Sequence, residues 1–182
     1  MSTRQFEETL DIPKGVSIVL KKRMLHFDGP LGKTHKNFRA IPVDIKVSED
    51  KITIKAQGKR KRDYAILHTA RSIIRNICEG LIIGYTIKMK ILFAHFPITV
   101  KTDKGMVLIE NFQGEHAART AKIVGDVKVV PKGEDVILTG RVWTEVTQTA
   151  ANIEQHTKVK NKDHRVFLDG IYAYEKKKGI EK

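Results

Sequence analysis

The run Thr157-Lys158-Val159-Lys160-Asn161-Lys162-Asp163-His164-Arg165 holds the residue types best suited to a chemical task. Ammonium and guanidinium groups neutralise phosphate oxygens, and each phosphate so paired releases condensed counterions. Affinity then falls with salt at about 0.9 log unit per contact on a duplex, somewhat less on a single strand. In an extended segment the alternation sets Lys158, Lys160 and Lys162 on one side, while Asn161 and Asp163 can fold a turn or bond a ribose hydroxyl. A second basic segment is Lys59-Arg60-Lys61-Arg62, and a third, Lys176-Lys177-Lys178, reads as a basic C-terminal tail. A single such run is explained by solubility; three separate runs point to an RNA partner.

Rival chemistries lack their residues. Gly29-Pro30-Leu31-Gly32-Lys33-Thr34 ends like a phosphate-binding loop, the best case for a nucleotide-binding enzyme. That loop needs a glycine five positions before Gly32, where Phe27 stands, and a helix afterwards, whereas the pattern that follows is a strand. Gly29 to Gly32 also has the GxxG form of a KH domain, but that loop joins two helices; a hairpin turn is expected. The seven histidines, His26, His35, His68, His95, His116, His156 and His164, form no HExxH and have no partner cysteines, so no metal is expected. Cys78 follows Ile77 on a helical apolar stripe and reads as a small core residue, and no GxSxG elbow supports a hydrolase. No catalytic group and no cofactor emerge. Aromatic content is 7% without an RNP-type strand, so shape and backbone contacts suit the chain better than base stacking, with Phe96 and Phe112 read as packing at strand ends.

Bulk properties agree. Across 182 residues, 34 Lys+Arg against 21 Asp+Glu leave a net charge of +13, and both halves of the chain are basic. Hydrophobic residues make up 41%, which is globular. One cysteine excludes an internal disulfide framework. Apolar runs are strand-sized, and Glu7, Glu8 and Asp11 occupy the place of a signal core, so the chain reads as soluble, cytosolic and complete, with no membrane partner.

The elements that must carry these residues come in two copies. Aligning Val16–Gly58 with Ile98–Gly140 gives eight identities, Lys22/Lys104, Met24/Met106, Gly32/Gly114, Ile41/Ile123, Asp44/Asp126, Lys46/Lys128, Val47/Val129 and Gly58/Gly140; unrelated sequence would give about three. Both copies alternate apolar and polar residues in short runs, as half-buried antiparallel strands do. A helical stripe follows each: Leu67, Ala70, Ile74 and Ile77, then Trp143, Val146, Ala150 and Ile153. Gly84-Tyr85 and Gly170-Ile171 then open a closing strand in each copy. The expected fold is α+β, two tandem duplicated domains, each a small mainly antiparallel sheet packed with one helix. The first spans residues 1–82, with its helix over about 63–80. The second spans 83–182, with a helix over about 143–156, the basic loop 157–165, a closing strand and the tail. By this comparison Lys59–Arg62 and the segment 158–165 are basic loop insertions, and loops carry function.

Several segments resemble one family, the universal large-subunit ribosomal protein numbered six in bacteria and nine in eukaryotes, in its eukaryotic and archaeal branch. They are Leu10-Asp11-Ile12-Pro13, Gly29-Pro30-Leu31-Gly32, Ala94-His95-Phe96-Pro97-Ile98, Asn111-Phe112-Gln113-Gly114-Glu115, and Thr157 to Arg165 followed by Phe167-Leu168-Asp169-Gly170-Ile171-Tyr172. The resemblance spans the chain and implies a duplicated, non-catalytic protein. It implies a protein that braces large-subunit ribosomal RNA, chiefly through the second domain, near the sarcin-ricin loop and the stalk base. Neighbouring ribosomal proteins, stalk base included, and nearby translational GTPases are the implied partners, on the cytosolic ribosome. Carried over residue by residue, the RNA contacts are Lys158, Lys160, Asn161, Lys162 and Arg165, with Gly114, Glu115, His116 and Arg119 as a second set. Departures are Leu31 where a basic residue is usual, Gln113 for a leucine, and Lys59–Arg62 where eukaryotic relatives carry a tryptophan pair. Besides the enzyme, the rival reading is a free regulator that binds structured RNA.

Overall fold

The computed structural model describes residues 6–48, 50–163 and 165–180; Glu49 and His164, the latter inside the basic loop, lie outside the described residues. The chain divides into two compact units, Met1–Ile83 and Gly84–Lys182. It is α+β, and each unit pairs small antiparallel sheets with one helix.

In the first unit, β1 (Glu7–Asp11), β2 (Ser17–Lys21), β3 (Met24–Gly29), β4 (Gly32–Asn37), β5 (Val43–Val47) and β6 (Lys51–Ala56) precede helix α1 (Lys61–Ile83). They form two three-stranded sheets, β1-β6-β5 and β2-β3-β4. Alternation decides which side chains face inward: in β3, Leu25 and Phe27 are buried while His26 is exposed. Residues Leu67, Ala70, Ile74, Ile77, Cys78 and Leu81 of α1 lie buried in one apolar cluster with Ile52, Ile54 and Phe38. Each such aliphatic side chain contributes about 1.5–3 kcal/mol by leaving water.

The second unit repeats this order with β7 (Tyr85–Leu92), β8 (Thr99–Asp103), β9 (Met106–Glu110), β10 (Arg119–Lys122), β11 (Lys128–Lys132), β12 (Asp135–Gly140) and helix α2 (Trp143–His156), then adds β13 (Gly170–Lys178). Its sheets are β10-β9-β8 and β11-β12-β7-β13. Lys22 and Lys104, one of the sequence identities, both hold positive φ (56° and 41°) at matching turns, β2 to β3 and β8 to β9.

The structure moves three assignments. The strand at Gly84-Tyr85 does not close the first copy. It is β7, the first strand of the second unit, paired with β12 (Tyr85↔Gly140) on one side and β13 (Ile91↔Ile171) on the other. Its counterpart is β1, which pairs with β6 in the same way (Glu7↔Lys55); among the described residues of the first unit, β13 has no counterpart. Nor is Lys59–Arg62 a loop insertion. Helix α1 starts at Lys61, three residues after Gly58, just as α2 starts three after Gly140, and the excess lies within the helix, 23 residues against 14. The Asp63 carboxylate accepts the Arg60 backbone N–H at 2.9 Å and caps that start. Finally, Lys176–Lys178 is the end of β13 rather than a tail, opposite Ile87, Thr86 and Tyr85.

Residues Gly29 to Thr34 form a hairpin between β3 and β4, with Gly29 opposite Gly32 and Pro30-Leu31 at the turn. Lys33 pairs with Asp28 at 2.8 Å across the hairpin, and a strand follows where a phosphate-binding loop needs a helix. The turn instead serves the helix. Leu31 donates its N–H to the Leu81 carbonyl at 3.0 Å, satisfying one of the acceptors that a helix end leaves open. A Cβ on Gly29 would stand 2.9 Å from the Leu81 Cβ, so only glycine lets the strand approach this closely. In the second unit the corresponding connection, β9 to β10, runs from Asn111 to Ala118. The two stretches that the second unit possesses and the first lacks are therefore 111–118 and 157–178.

Candidate nucleic-acid interface

Helix α2 ends at Thr157, 1% exposed, whose hydroxyl donates to the Ile153 carbonyl at 3.0 Å and accepts the Ile171 N–H at 3.2 Å. One residue thus closes the helix and ties it to β13. Val159, 3% exposed, joins the core of the unit. With Thr157 and Val159 turned in, Lys158 and Lys160 are turned out, although no ladder makes this segment a strand. Neither lysine has a carboxylate at ion-pair distance among the described residues. Asn161 takes a left-handed turn (φ 58°), and the Lys162 ammonium sits 4.7 Å from the Phe167 ring centroid. Arg165 is folded onto Asp163, backbone N–H to Oδ1 and Nη2 to Oδ2 at 2.9 Å each. Its charge is already matched.

The segment 111–118 lies beside this loop. The Glu115 carboxyl is held below the ordinary carboxylate range, first by hydrogen bonds from Arg119, then against some desolvation by the charges of Arg119, Lys160 and Lys162. The two sets of sequence candidates therefore share one neighbourhood. Arg119, however, faces the protein. Its Nε and Nη2 grip both Glu115 oxygens at 2.8 and 2.5 Å, its Nη1 donates to the carbonyls of His156 (2.9 Å) and Lys158 (3.3 Å), and its guanidinium lies 4.1 Å over Phe112. The side chain is 21% exposed. It clamps the end of α2 and the start of the basic loop onto the 111–118 segment. Gly114 holds φ 80°, a left-handed conformation that favours glycine, and lies against the Phe96 ring, which a Cβ there would approach to 3.2 Å. His116 is exposed.

Asp169, 7% exposed and not among the sequence candidates, accepts the Ala94 N–H at 2.8 Å and the Gln113 amide at 3.4 Å. It joins the loops around 94, 113 and 169. A lone carboxylate in the otherwise uncharged, largely apolar run 166–174, next to Gly170, was the available signal. On β13, Glu175 pairs with Lys177 at 2.8 Å and Lys88 at 3.2 Å, and Lys176, Lys177 and Lys178 are all exposed. In the first unit Lys59 and Arg60 precede α1, while Lys61 and Arg62 form its first turn, all four exposed.

The clamp makes the loop sensitive to acid. The Glu115 pKa is lower folded than unfolded, so its stabilising share is fully present above the unfolded value of about 4.3 and disappears as pH falls through the folded one. Thermal unfolding followed from pH 6 to pH 3 should show an acid loss that Glu115→Gln reduces. An unchanged profile in that variant would remove Glu115 from the clamp.

The class that fold and site define is a duplicated α+β scaffold with two additions, 111–118 and 157–178, the second carrying exposed lysines. The family model for Ribosomal protein L6 matches residues 96–170. The chain is similar to Large ribosomal subunit protein uL6 of Methanobrevibacter smithii, 43% identical over 169 residues, covering 93% of this chain and 95% of the relative. The same protein of Methanosphaera stadtmanae is 44% identical over 171 residues (93% of each chain), and that of Staphylothermus marinus 42% over 172 residues (92% and 93%). The chain belongs to the uL6 family of ribosomal proteins, structural components rather than enzymes. Among the described residues no helix is long and apolar enough to cross a membrane.

Proposed function

We propose that this chain is a structural constituent of the large subunit of the cytosolic ribosome that grips ribosomal RNA by its backbone, near the sarcin-ricin loop and the stalk base. There it would brace the region where translational GTPases act, beside other ribosomal proteins. The observation that carries the reading is the outward pair Lys158 and Lys160, fixed by the inward pair Thr157 and Val159 and held against the 111–118 segment by Arg119. Preorganised cations lose little freedom on binding, which is what phosphate contacts need. Lys59 to Arg62 support a second contact. Cations at the start of a helix work against its macrodipole by about 0.3–1 kcal/mol each, so these four do not stabilise α1 and are better accounted for by an anionic partner.

Crosslinking on intact large subunits tests the placement. Crosslinks from 158–162 to ribosomal RNA, together with sedimentation alongside large subunits and polysomes, are expected. A protein that stays at the top of the gradient while still binding structured RNA would be a free regulator.

A further inference from the structure

Beside Lys158 lies a cleft of about 520 Å³ lined by Ala151, Glu154, Gln155, Lys158 and Tyr172, a size within the range of small-ligand sites. We propose that it receives a single extruded base of the bound RNA, which deepens the RNA reading above and rests on it. The lining divides into the parts such a site needs. The Tyr172 ring is 39% exposed on the edge strand β13 and offers a stacking face. It lies against bare backbone: a Cβ on Gly170 would stand 2.7 Å from ring atoms, and its hydroxyl lies 3.5 Å from the Asp169 carbonyl. Ala151 presents only a methyl group from α2 along the same cleft, which leaves room for a flat ligand.

The polar members separate base from phosphate. Glu154 and Gln155 sit in the last turn of α2, where the helix dipole is negative and a carboxylate adds charge, so phosphate is repelled there. A carboxylate accepts from exocyclic amino and ring N–H groups, and an amide both donates and accepts, as a base edge requires. Lys158 supplies the one cation, placed to take the flanking phosphate. An inorganic anion would find a single lysine beside a glutamate, whereas a nucleotide would satisfy every lining group. The expected choice is a base carrying an amino group, adenine, guanine or cytosine over uracil.

The full chain is titrated with AMP, GMP, CMP, UMP and inorganic phosphate while amide and ring resonances are followed by NMR. The expected result is millimolar binding that shifts the Gln155 side-chain amide and the Tyr172 ring, weaker for UMP, with phosphate perturbing only the surroundings of Lys158. Tyr172→Leu should weaken AMP about tenfold, as loss of one stacked base does, whereas Tyr172→Phe should retain binding. Ala151→Leu, on an accommodating helix face, should block the cleft without touching the sheet, which guards against a folding defect in Tyr172→Leu. Phosphate reproducing the nucleotide shifts, or AMP affinity unchanged in both Tyr172→Leu and Ala151→Leu, would overturn the proposal. Ribosomal RNA binding by the same samples keeps the two readings apart: if it persists while the nucleotide shifts are absent, only the cleft is wrong, and if it is absent the broader function fails.

Discussion

Replacing Lys158, Lys160 and Lys162 together by alanine should flatten the salt dependence of ribosomal RNA binding by about 2–3 log units per log unit of salt, one increment of 0.7–0.9 for each phosphate lost. At 0.1 M salt a slope change of about 2.5 corresponds to roughly 300-fold in affinity, about 3.4 kcal/mol. Folding should be untouched, because all three side chains are exposed and the anchoring is done by Thr157 and Val159. Adding Arg165→Ala should change the slope little further, since that guanidinium is already bound to Asp163. Filter binding between 50 and 400 mM salt reads all of this. A triple variant with the slope of the parent would remove the loop from the RNA surface.

Arg119→Ala should act in the opposite manner, lowering stability and affinity while leaving the salt slope within about half a unit of the parent. The reason is where its donors go: to Glu115 and to the carbonyls of His156 and Lys158, with Phe112 under the guanidinium. Hydrogen bonds involving a charged partner contribute about 1.5–3 kcal/mol each, less where water competes, so a loss of about 2–4 kcal/mol is expected for the second unit. Arg119→Lys should rescue little, because an ammonium cannot hold two carboxylate oxygens and two carbonyls at once. The basic loop would then sample many arrangements, and affinity would fall by that entropy rather than by a missing phosphate contact. Thermal melting and the salt series distinguish the roles: a slope reduced by about one with an unchanged melting temperature would make Arg119 an RNA ligand instead.

These two residue sets also show what could be read before the fold was seen. Alternation set Lys158, Lys160 and Lys162 on one side of an extended segment. The structure has no strand there and turns at Asn161, and Lys158 and Lys160 point outward because Thr157 and Val159 are buried. No pattern of types reveals that Arg119 turns inward. Glu115, four residues earlier, was the local hint, but a carboxylate near an arginine marks a clamp only when the carbonyls it also needs come from distant chain. The duplication was legible as strand periodicity and as two apolar stripes. The role of Tyr85 was not. A period of two says that a residue lies in a strand and nothing about which sheet the strand joins, and β7 is placed by partners as far away as Lys178. Lys59–Arg62 carries no apolar residue, so the helical stripe began to show only after it, although Asp63 was present as a capping signal. The lysines of β13 read as a tail for a similar reason: an edge strand tolerates exposed lysine, which composition alone assigns to solvent.

The extra strand β13 gives the two copies different schedules of assembly. Every pairing of the first unit closes within its own 83 residues, so its sheets can form as soon as that stretch of chain is free. In the second unit β7 is an inner strand that waits for β12 and then for β13, with Tyr85 opposite Lys178 at the far end of the ladder. Long-range pairings of this kind slow folding, because loop closure is paid before contacts return it. During synthesis the first copy would thus stand folded while β7 still exposed an unfilled edge, and the basic loop between α2 and β13 would take its shape last.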